Sequence, residues 1–453
     1  MIELSPEEIA EAAGARIVAR GDGGRPQRAT IDSRAVAPGD LFVGLRGEHL
    51  DGGRFATEAL VGGAWGVIVD AERGEEIVGS GAPPGWIFAA EEPLAAMQAL
   101  ARGWRREIGC PLVGITGSTG KTSVKDICRA IIPRRVHASP ENFNTEIGMP
   151  LALLDAPPET EVLVMEMAMR GMGQIAELCA IAEPDVAAIT NVGPVHLELL
   201  GTLEAIVEAK AEIFTGLGGS GHAILPVDAE ALEPHLDDTL DALTFGPGGD
   251  VLALDSRTDG DRTWARIGTP AGEAEFEFPF GEAHNLTNAL CAVAVGVALG
   301  IDPAEMAAQA PGIEFSRLRG ERVALQGGIL LLNDCYNANP ISMRAAIEHL
   351  AAREATGRRM AVLGGMAELG PDAASFHEEI GSLARARGIE PLIGVGELAR
   401  DYSPDEWAAD PDAAAALVAG TLAEGDVVLV KGSRSVGLER FTDVVRSRLG
   451  EAG

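Results

Sequence analysis

A glycine-rich loop between a strand pattern and a helix pattern limits the folds open to this chain more than any other feature of its sequence. Residues 114–122 read GITGSTGKT, directly after the apolar run Pro111–Val113 and before a helical pattern over Val124–Ile132. Such a loop turns backbone N–H groups toward an anion, and the helix N-terminus adds a favourable dipole. Lys121 can reach the β- and γ-phosphates of a nucleotide, and the Thr122 hydroxyl can bind Mg²⁺. The pattern therefore predicts a nucleoside triphosphate at the edge of a parallel sheet.

The loop departs from the strict GxxxxGK[ST] pattern, because Ile115 stands where that pattern begins with glycine. As a bare string, GxxGKT is compatible with an ordinary tight turn, and a phosphate loop alone serves kinases, GTPases, motors and ligases. The order strand, loop, helix favours nucleotide binding over the turn. The loop residues expected to contact ATP are Gly117, Ser118, Thr119, Gly120, Lys121, Thr122 and Ser123.

The charge balance argues against one class of partner. The 453 residues carry a formal net charge of −32 at pH 7, which would repel the phosphates of a nucleic acid over most of the surface. Five dispersed cysteines without a CxxC spacing are typical of reduced intracellular thiols rather than of a disulfide framework or a zinc site. We see no secretory signal pattern and no apolar run near the ~20 residues of a membrane span. We therefore expect a cytoplasmic monomer that acts on small molecules.

Short β-branched runs alternate with helical patterns along most of the chain, which indicates an α/β fold with parallel sheets. Its length suits two or three domains of ~100–200 residues, and three fit the patterns best. A small mixed α/β domain covers 1–88 and ends near GSGAPPG at 79–85, which we interpret as a linker. The central domain, 89–313, carries the phosphate loop on a parallel sheet and a small β excursion over 240–280. The last domain, 314–453, is predicted to be Rossmann-like and doubly wound.

Polar residues at three further positions are candidates for chemistry. Glu166 follows the strand pattern Val162–Met165, where a carboxylate can bind magnesium or cap the next helix. His196 lies in a Gly/Pro loop after the strand pattern Val186–Thr190. A lone histidine is more often structural than a ligand, and this position strengthens the case for a functional role. Lys210 lies in a helical pattern among glutamates, which by itself describes a solvated face with i,i+4 ion pairs.

Several strings, in this order, resemble the Mur ligase family over essentially the whole chain. They are TGSTGKTS, ENFNTEIGMPLALL, TNVGPVHLE, EAKAEIF, HNLTNALCA, FSRLRGERV, NDCYNANPISM and VKGSRSVGLE. The resemblance implies an ATP-dependent, amide-forming enzyme of peptidoglycan precursor synthesis. NDCYNANP with ENFNTEIG is most similar to the members that use UDP-N-acetylmuramoyl-tripeptide and D-alanyl-D-alanine. The DNPR string of the diaminopimelate-adding members is absent.

The resemblance also implies roles for individual residues. It places the UDP-sugar on the first domain, and it has the third domain bind the incoming dipeptide and close over ATP. Catalytic roles are implied for Lys121, Lys210, His196 and Glu166. Two Mg²⁺ ions are implied at Thr122, Glu166, His196 and a CO₂-derived carbamate on Lys210. Further ATP contacts are implied for Asn285, Asn288, Arg317, Asp334 and Tyr336. Substrate contacts are implied for Ser33, Arg34, Arg46, Asn144, Thr145, Lys431, Ser433 and Arg434.

The implied chemistry is attack of a carboxylate on the γ-phosphorus of ATP, followed by attack of an amine on the acyl phosphate. Two alternatives stay open at this point. The chain could be another Mur-type ligase, adding diaminopimelate or glutamate. It could also belong to a different class, a nucleotide switch that hydrolyses ATP to regulate binding. The sequence leaves the third residue of the accepted peptide open.

Overall fold

The computed structural model describes residues 2–47, 50–140, 142–219 and 221–450. Its strands form three large sheets, one in each successive part of the chain, and one small three-stranded sheet. The predicted α/β class with three domains is confirmed. Glu141, the first residue of the ENFNTEIG string, lies outside the described residues.

The first unit is a five-stranded mixed sheet with helices against it. Along the chain it contains α1 (Pro6–Ala12), β1 (Arg16–Ala19), β2 (Ala29–Thr30), β3 (Leu41–Val43), α2 (Ala56–Val61), β4 (Gly66–Asp70), α3 (Ala71–Gly79) and β5 (Trp86–Ala90). The strand order is β1-β5-β4-β3-β2, with β1 antiparallel to β5 and the other pairs parallel. Every residue of β4 and β5 is buried, as expected for parallel strands covered on both faces.

The segment 79–85 is not a linker between domains. Gly79 ends α3, and the following residues lead into β5, which pairs with β4 along its whole length. The chain therefore returns to the same sheet, and the first unit extends to Ala90. The predicted boundary after residue 88 falls inside β5. The glycines and prolines form a tight turn between α3 and β5. Gly85 has no room for a side chain there, since a Cβ would lie 2.5 Å from the Leu60 side chain.

The middle unit is built on a six-stranded sheet whose pairs are all parallel, in the order β11-β10-β9-β6-β8-β7. Its elements are α4 (Pro93–Ile108), β6 (Leu112–Thr116), α5 (Lys121–Ile131), β7 (Val136–Ala138), α6 (Gly148–Leu154), β8 (Val162–Glu166), α7 (Gln174–Ala182), β9 (Val186–Ile189), α8 (Leu197–Leu200), α9 (Leu203–Thr215), β10 (His222–Pro226), β11 (Asp241–Phe245), β12 (Leu252–Asp259), β13 (Arg262–Thr269), β14 (Gly272–Phe278), α10 (Ala283–Ala298) and α11 (Pro303–Gln309). Strands β12 to β14 form an antiparallel sheet, as the predicted β excursion requires.

The third unit is a second doubly wound sheet, in the order β15-β16-β20-β17-β18-β19. Its elements are β15 (Glu321–Leu325), β16 (Ile329–Asn333), α12 (Pro340–Ala352), β17 (Arg359–Gly364), α13 (Ala373–Ala386), β18 (Leu392–Val395), β19 (Glu406–Ala408), α14 (Pro411–Val418), β20 (Val427–Lys431) and α15 (Glu439–Leu449). Only β15 runs antiparallel to its neighbour in this sheet.

The third unit packs against the carboxyl ends of the middle sheet. The amide of Asn339, which caps the N-terminus of α12, donates to the Ser118 carbonyl at 3.5 Å. Ile341 fills the space above Gly193, where an added Cβ would lie 2.1 Å from its Cδ1. The strand ends of two parallel sheets therefore enclose one cleft, which is where ligands of such sheets bind.

Candidate active site

The phosphate loop joins β6 to α5, as predicted, and its shape requires glycine at two positions. Gly117 has a φ of 148°, and a Cβ there would lie 1.9 Å from Oγ1 of Thr190. Gly120 has a φ of 79°, and a Cβ there would lie 2.5 Å from Oδ1 of Asn288. Both φ angles lie in the region that favours glycine. The sequence therefore builds a close-packed loop at the start of α5.

Asn191 at the end of β9 fixes the loop from the side. Its Oδ1 accepts from the Thr119 amide at 2.9 Å, and its Nδ2 donates to Thr119 Oγ1 at 2.6 Å. The Ser118 amide donates to the Asn191 carbonyl at 3.1 Å. These bonds fix the backbone of the loop against the residues that follow β9.

Thr122, Glu166 and Asn144 form a buried group beside the loop. Thr122 Oγ1 donates to one Glu166 carboxylate oxygen at 2.9 Å, and Asn144 Nδ2 donates to the other at 2.9 Å. Glu166 is 3% exposed. A hydroxyl and a carboxylate are hard oxygen ligands of the kind that Mg²⁺ prefers. Among the described residues there is no group of three or more His, Cys, Asp and Glu side chains arranged to hold a metal.

Lys121 and Lys210 are the lysines predicted for catalysis, and both have perturbed titration. Lys121 Nζ donates to the Gly117 carbonyl at 2.7 Å, and burial lowers the pKa of Lys121 below its ordinary value. Lys210 is 2% exposed, so the solvated helix face suggested by its neighbours is wrong. Burial, reinforced by the charge of Lys121, holds the pKa of Lys210 well below its ordinary value. Within the described chain the Lys210 amine makes no hydrogen bond or ion pair. A neutral amine is the form that reacts with CO₂.

His196 reaches across the cleft. It is the residue before α8 and has a φ of 55°. Its Nδ1 lies 2.5 Å from a carboxylate oxygen of Glu368 in the third unit. Glu368 also has a positive φ, 62°. Left-handed backbone at two non-glycine residues that contact each other is strain of the kind found at functional sites. Burial lowers the pKa of His196, although Glu368 acts in the opposite direction.

A cavity of about 800 Å³ between the middle and third units collects most of the predicted residues. Its lining includes Ser118, Thr119, Gly120, Lys121, Thr122, Ser123, Asn144, Thr145, Glu166, His196, Asn285, Asn288, Asp334, Tyr336, Lys431, Ser433 and Arg434. Gly117, Lys210 and Arg317 are outside this lining.

Arg319 occupies the place expected of Arg317. Its guanidinium donates to Thr122 Oγ1 at 3.0 Å and lies 4.0 Å from the ring centroid of Tyr336. Arg317 is exposed. Leu318 between them has a φ of 63°, a left-handed conformation that redirects the backbone between the two arginines. The RLR string gave no signal that could distinguish them.

The residues predicted to bind the incoming dipeptide differ in their freedom to do so. Lys431 is 2% exposed, and its ammonium contacts the Asp334 carboxylate at 2.5 Å and the Asn337 carbonyl at 3.1 Å. Its ammonium is therefore already paired with the Asp334 carboxylate. Ser433 Oγ accepts from the Ala367 amide at 2.9 Å. Arg434 is 58% exposed at the cavity and pairs with Glu439 at 2.8 Å.

The predicted UDP-sugar residues lie on the first unit, away from this cavity. Arg34 pairs with Asp32, and Arg46 pairs with Asp70 at 3.2 Å. Their side chains are 85% and 60% exposed, so both guanidiniums are accessible to an anionic ligand. Ser33 starts a short 3₁₀ turn capped by Asp32.

Comparisons with known proteins agree with the fold and the loop. The family models described as Mur ligase family, catalytic domain, as Mur ligase middle domain, and as Mur ligase, glutamate ligase domain match residues 27–98, 115–296 and 318–434. The chain belongs to the Mur ligase family, which confirms the resemblance seen in its motifs.

No helix in the described part of the chain is long and apolar enough to cross a membrane.

Individual proteins similar to this chain share one ligase name within the family. The chain is 34% identical to UDP-N-acetylmuramoyl-tripeptide–D-alanyl-D-alanine ligase of Bacillus subtilis, over 92% of this chain and 93% of that one. It is 36% identical to the ligase of the same name from Treponema pallidum, over 98% and 99%. The crystal structure of MurF ligase from Thermotoga maritima in complex with ADP matches with a TM-score of 0.80 and 31% identity, over 93% and 97%. MurF from Acinetobacter baumannii matches with a TM-score of 0.86 and 26% identity, over 98% of each chain.

Proposed function

We propose that this protein adds D-alanyl-D-alanine to UDP-N-acetylmuramoyl-tripeptide, using ATP and releasing ADP and phosphate. The observation that carries the proposal is the meeting of two domains at the phosphate loop. Thr122 of the loop contacts Glu166 from the same domain and Arg319 from the next. A ligase needs such a cleft, because ATP, the carboxylate and the amine must meet away from water.

In the first step, a carboxylate oxygen of the tripeptide attacks the γ-phosphorus. A C–O–P linkage forms, the bond to the β–γ bridging oxygen breaks, and ADP leaves. An anion approaches a polyanion here, so neutralising charge dominates the barrier. Lys121 at the loop and Arg319 above Thr122 are the cations placed to provide it.

Magnesium fits the two oxygen donors that meet beside the loop, Thr122 and Glu166. These two residues would hold it with His196, and an anionic carbamate on Lys210 would be a further ligand for a second ion. Bound there, Mg²⁺ would withdraw charge from the phosphate oxygens. Formation of the carbamate joins the neutral Lys210 amine to CO₂ and releases one proton, and the buried, unpaired amine supports that reaction.

In the second step, the amine of the dipeptide attacks the acyl carbon. Phosphate leaves with the bonding electrons, and the amine loses a proton as the amide forms. Arg434 and Ser433 line the cavity and would bind the dipeptide carboxylate. Lys431, predicted to bind it as well, would instead orient Asp334, with which its ammonium is paired. Asn144 and Thr145 would contact the muramoyl peptide, and Ser33, Arg34 and Arg46 the UDP group. We expect the enzyme to act as a cytoplasmic monomer.

Phosphate release tests the proposal. ATP and Mg²⁺ are supplied with UDP-N-acetylmuramoyl-tripeptide and D-alanyl-D-alanine, singly and together. We expect release with both substrates together and a UDP-muramoyl-pentapeptide by mass spectrometry. Steady release without any substrate would instead favour a nucleotide switch. Release only with diaminopimelate or glutamate as the amine would show another Mur-type ligase.

A further inference from the structure

A cluster of ionisable side chains joins the middle and third units on the side of α10. We call Asp261, Glu282, Arg322, His349 and Arg353 the junction cluster. The two acids belong to the middle unit and the three basic residues to the third. Arg353 donates to both oxygens of Asp261, at 2.6 and 3.2 Å, and Arg322 lies 3.1 Å from the same carboxylate.

Glu282 is the most enclosed member, with its side chain 9% exposed. Its two oxygens face different parts of the protein. Oε1 lies 3.4 Å from Arg322 and 3.4 Å from Nε2 of His349, both in the third unit. Oε2 accepts from Nδ2 of Asn285, at 3.5 Å, in the middle unit. Burial alone would raise the pKa of Glu282, but His349 and Arg322 bring it below the ordinary value. Glu282 is therefore an anion that only accepts hydrogen bonds.

That anion fixes the direction of a chain of amides leading to the phosphate loop. Because Asn285 turns its Nδ2 to Glu282, its Oδ1 is left to accept from Nδ2 of Asn288, at 3.0 Å. Asn288 then turns its own Oδ1 toward Gly120 of the loop. Both asparagines are only 7% exposed, so water offers little alternative partnership.

We propose that Glu282 is a positioning residue through which docking of the third domain sets the polarity of Asn285 and Asn288 at the nucleotide site. The proposal rests on the proposed function only in that the phosphate loop binds ATP. An amide in place of the carboxylate can donate as well as accept, which allows both asparagines to turn over. Loss of Arg322 removes the fixed charge that holds Glu282 in place. Glu282 itself lines the cavity, whereas Arg322 lies outside its lining. Both changes therefore weaken ATP binding, and Arg322→Met does so without altering a residue of the cavity.

A double-mutant cycle tests the link. The dissociation constant of ATP–Mg²⁺ is measured by calorimetry for full-length wild type, Glu282→Gln, Arg322→Met and the double variant, with KM for ATP and kcat measured alongside. We expect each single change to raise the dissociation constant and KM about tenfold, with kcat at saturating ATP changed less than about twofold. The double variant should bind ATP as tightly as the single variant with the higher dissociation constant, because Glu282 and Arg322 act on the nucleotide site through the same contact.

The control is Glu273→Gln, which breaks the exposed pair with Arg266 on the small antiparallel sheet and should bind ATP as wild type does. If Glu282→Gln does not fold, the comparison of Arg322→Met with His349→Asn decides, since both touch Oε1. Unchanged affinity in the folded Glu282 or Arg322 variants, or additive losses in the double variant, overturns the proposal. Failure of the wild type to bind ATP would overturn the proposed function instead.

Discussion

Gly117→Ala tests whether catalysis needs the phosphate loop in the shape seen here. The added Cβ would lie 1.9 Å from Oγ1 of Thr190, where ordinary contact begins at 3.4 Å, so the two atoms must separate by about 1.5 Å. Rotation of the Thr190 side chain does not suffice, because its Cβ and backbone nitrogen are each 3.1 Å from the new atom. The loop backbone must therefore move.

Misplacement of reacting groups by 1 Å can cost about 100-fold in rate, so we expect kcat/KM for ATP to fall by about tenfold to 100-fold. The upper figure corresponds to about 2.7 kcal/mol of transition-state stabilisation. Overpacking of this kind costs about 1–3 kcal/mol in the free energy of unfolding, so the variant should still fold.

Initial rates of phosphate release, with ATP titrated at saturating tripeptide and dipeptide, give kcat/KM, and thermal melts report folding. Gly218→Ala is the matched control, since a Cβ there meets nothing within 4 Å. Removing the obstructing hydroxyl with Thr190→Ala in the Gly117→Ala background should recover part of the rate. A folded Gly117→Ala enzyme within threefold of wild type would show that catalysis does not need this shape of the loop.

Three further outcomes follow from the same geometry. Lys210→Arg replaces the neutral amine with a guanidinium that does not add CO₂, so ligation should fall at least about 100-fold and no longer respond to added bicarbonate. Wild-type rates in the variant would exclude the carbamate. Arg319→Lys should lower kcat/KM about tenfold or more, because lysine lacks the planar guanidinium that donates several hydrogen bonds at once. Arg317→Lys should stay near wild type, and the reverse result would restore the role expected of Arg317. His377 accepts from the Met366 amide, and burial lowers the pKa of His377. As the pH falls below ~6.5, the ordinary pKa of histidine, His377 takes up a proton in the unfolded chain but stays neutral in the folded one. The free energy of unfolding should therefore fall by up to ~1.4 kcal/mol for each unit by which the pH is lowered. His377→Gln should flatten that fall in denaturant titrations between pH 7 and 5, and an unchanged slope would exclude His377 as a source.

The parts of the site that the sequence predicted are those made by consecutive residues. Glycines, a lysine and a threonine between a strand and a helix define the phosphate loop, because the backbone geometry of that turn is local. Glu166 could also be placed, since residues at the carboxyl ends of parallel strands meet at one edge of the sheet.

Other parts depend on packing between distant segments, which local patterns do not encode. The neighbours of Lys210 in sequence are acidic and suggest a solvated helix face, yet the lysine itself is turned inward. Glu368 meets His196 from 172 residues away, and nothing in its own string marks it as a partner. Arg317 and Arg319 belong to the same short string, and the left-handed backbone of Leu318 between them is not visible in the sequence. The loop at 79–85 has the composition of a linker, and only the pairing of β5 with β4 shows otherwise.

Transfer of an oxygen atom from the tripeptide to phosphate tests whether the reaction passes through an acyl phosphate. The tripeptide substrate is prepared with ¹⁸O in its terminal carboxylate and turned over with ATP, Mg²⁺ and D-alanyl-D-alanine. If the carboxylate attacks the γ-phosphorus and the amine then displaces phosphate, the released phosphate carries one carboxylate oxygen for each amide formed. Phosphate without ¹⁸O would exclude an acyl phosphate, because the carboxylate oxygen would not have been transferred to phosphorus.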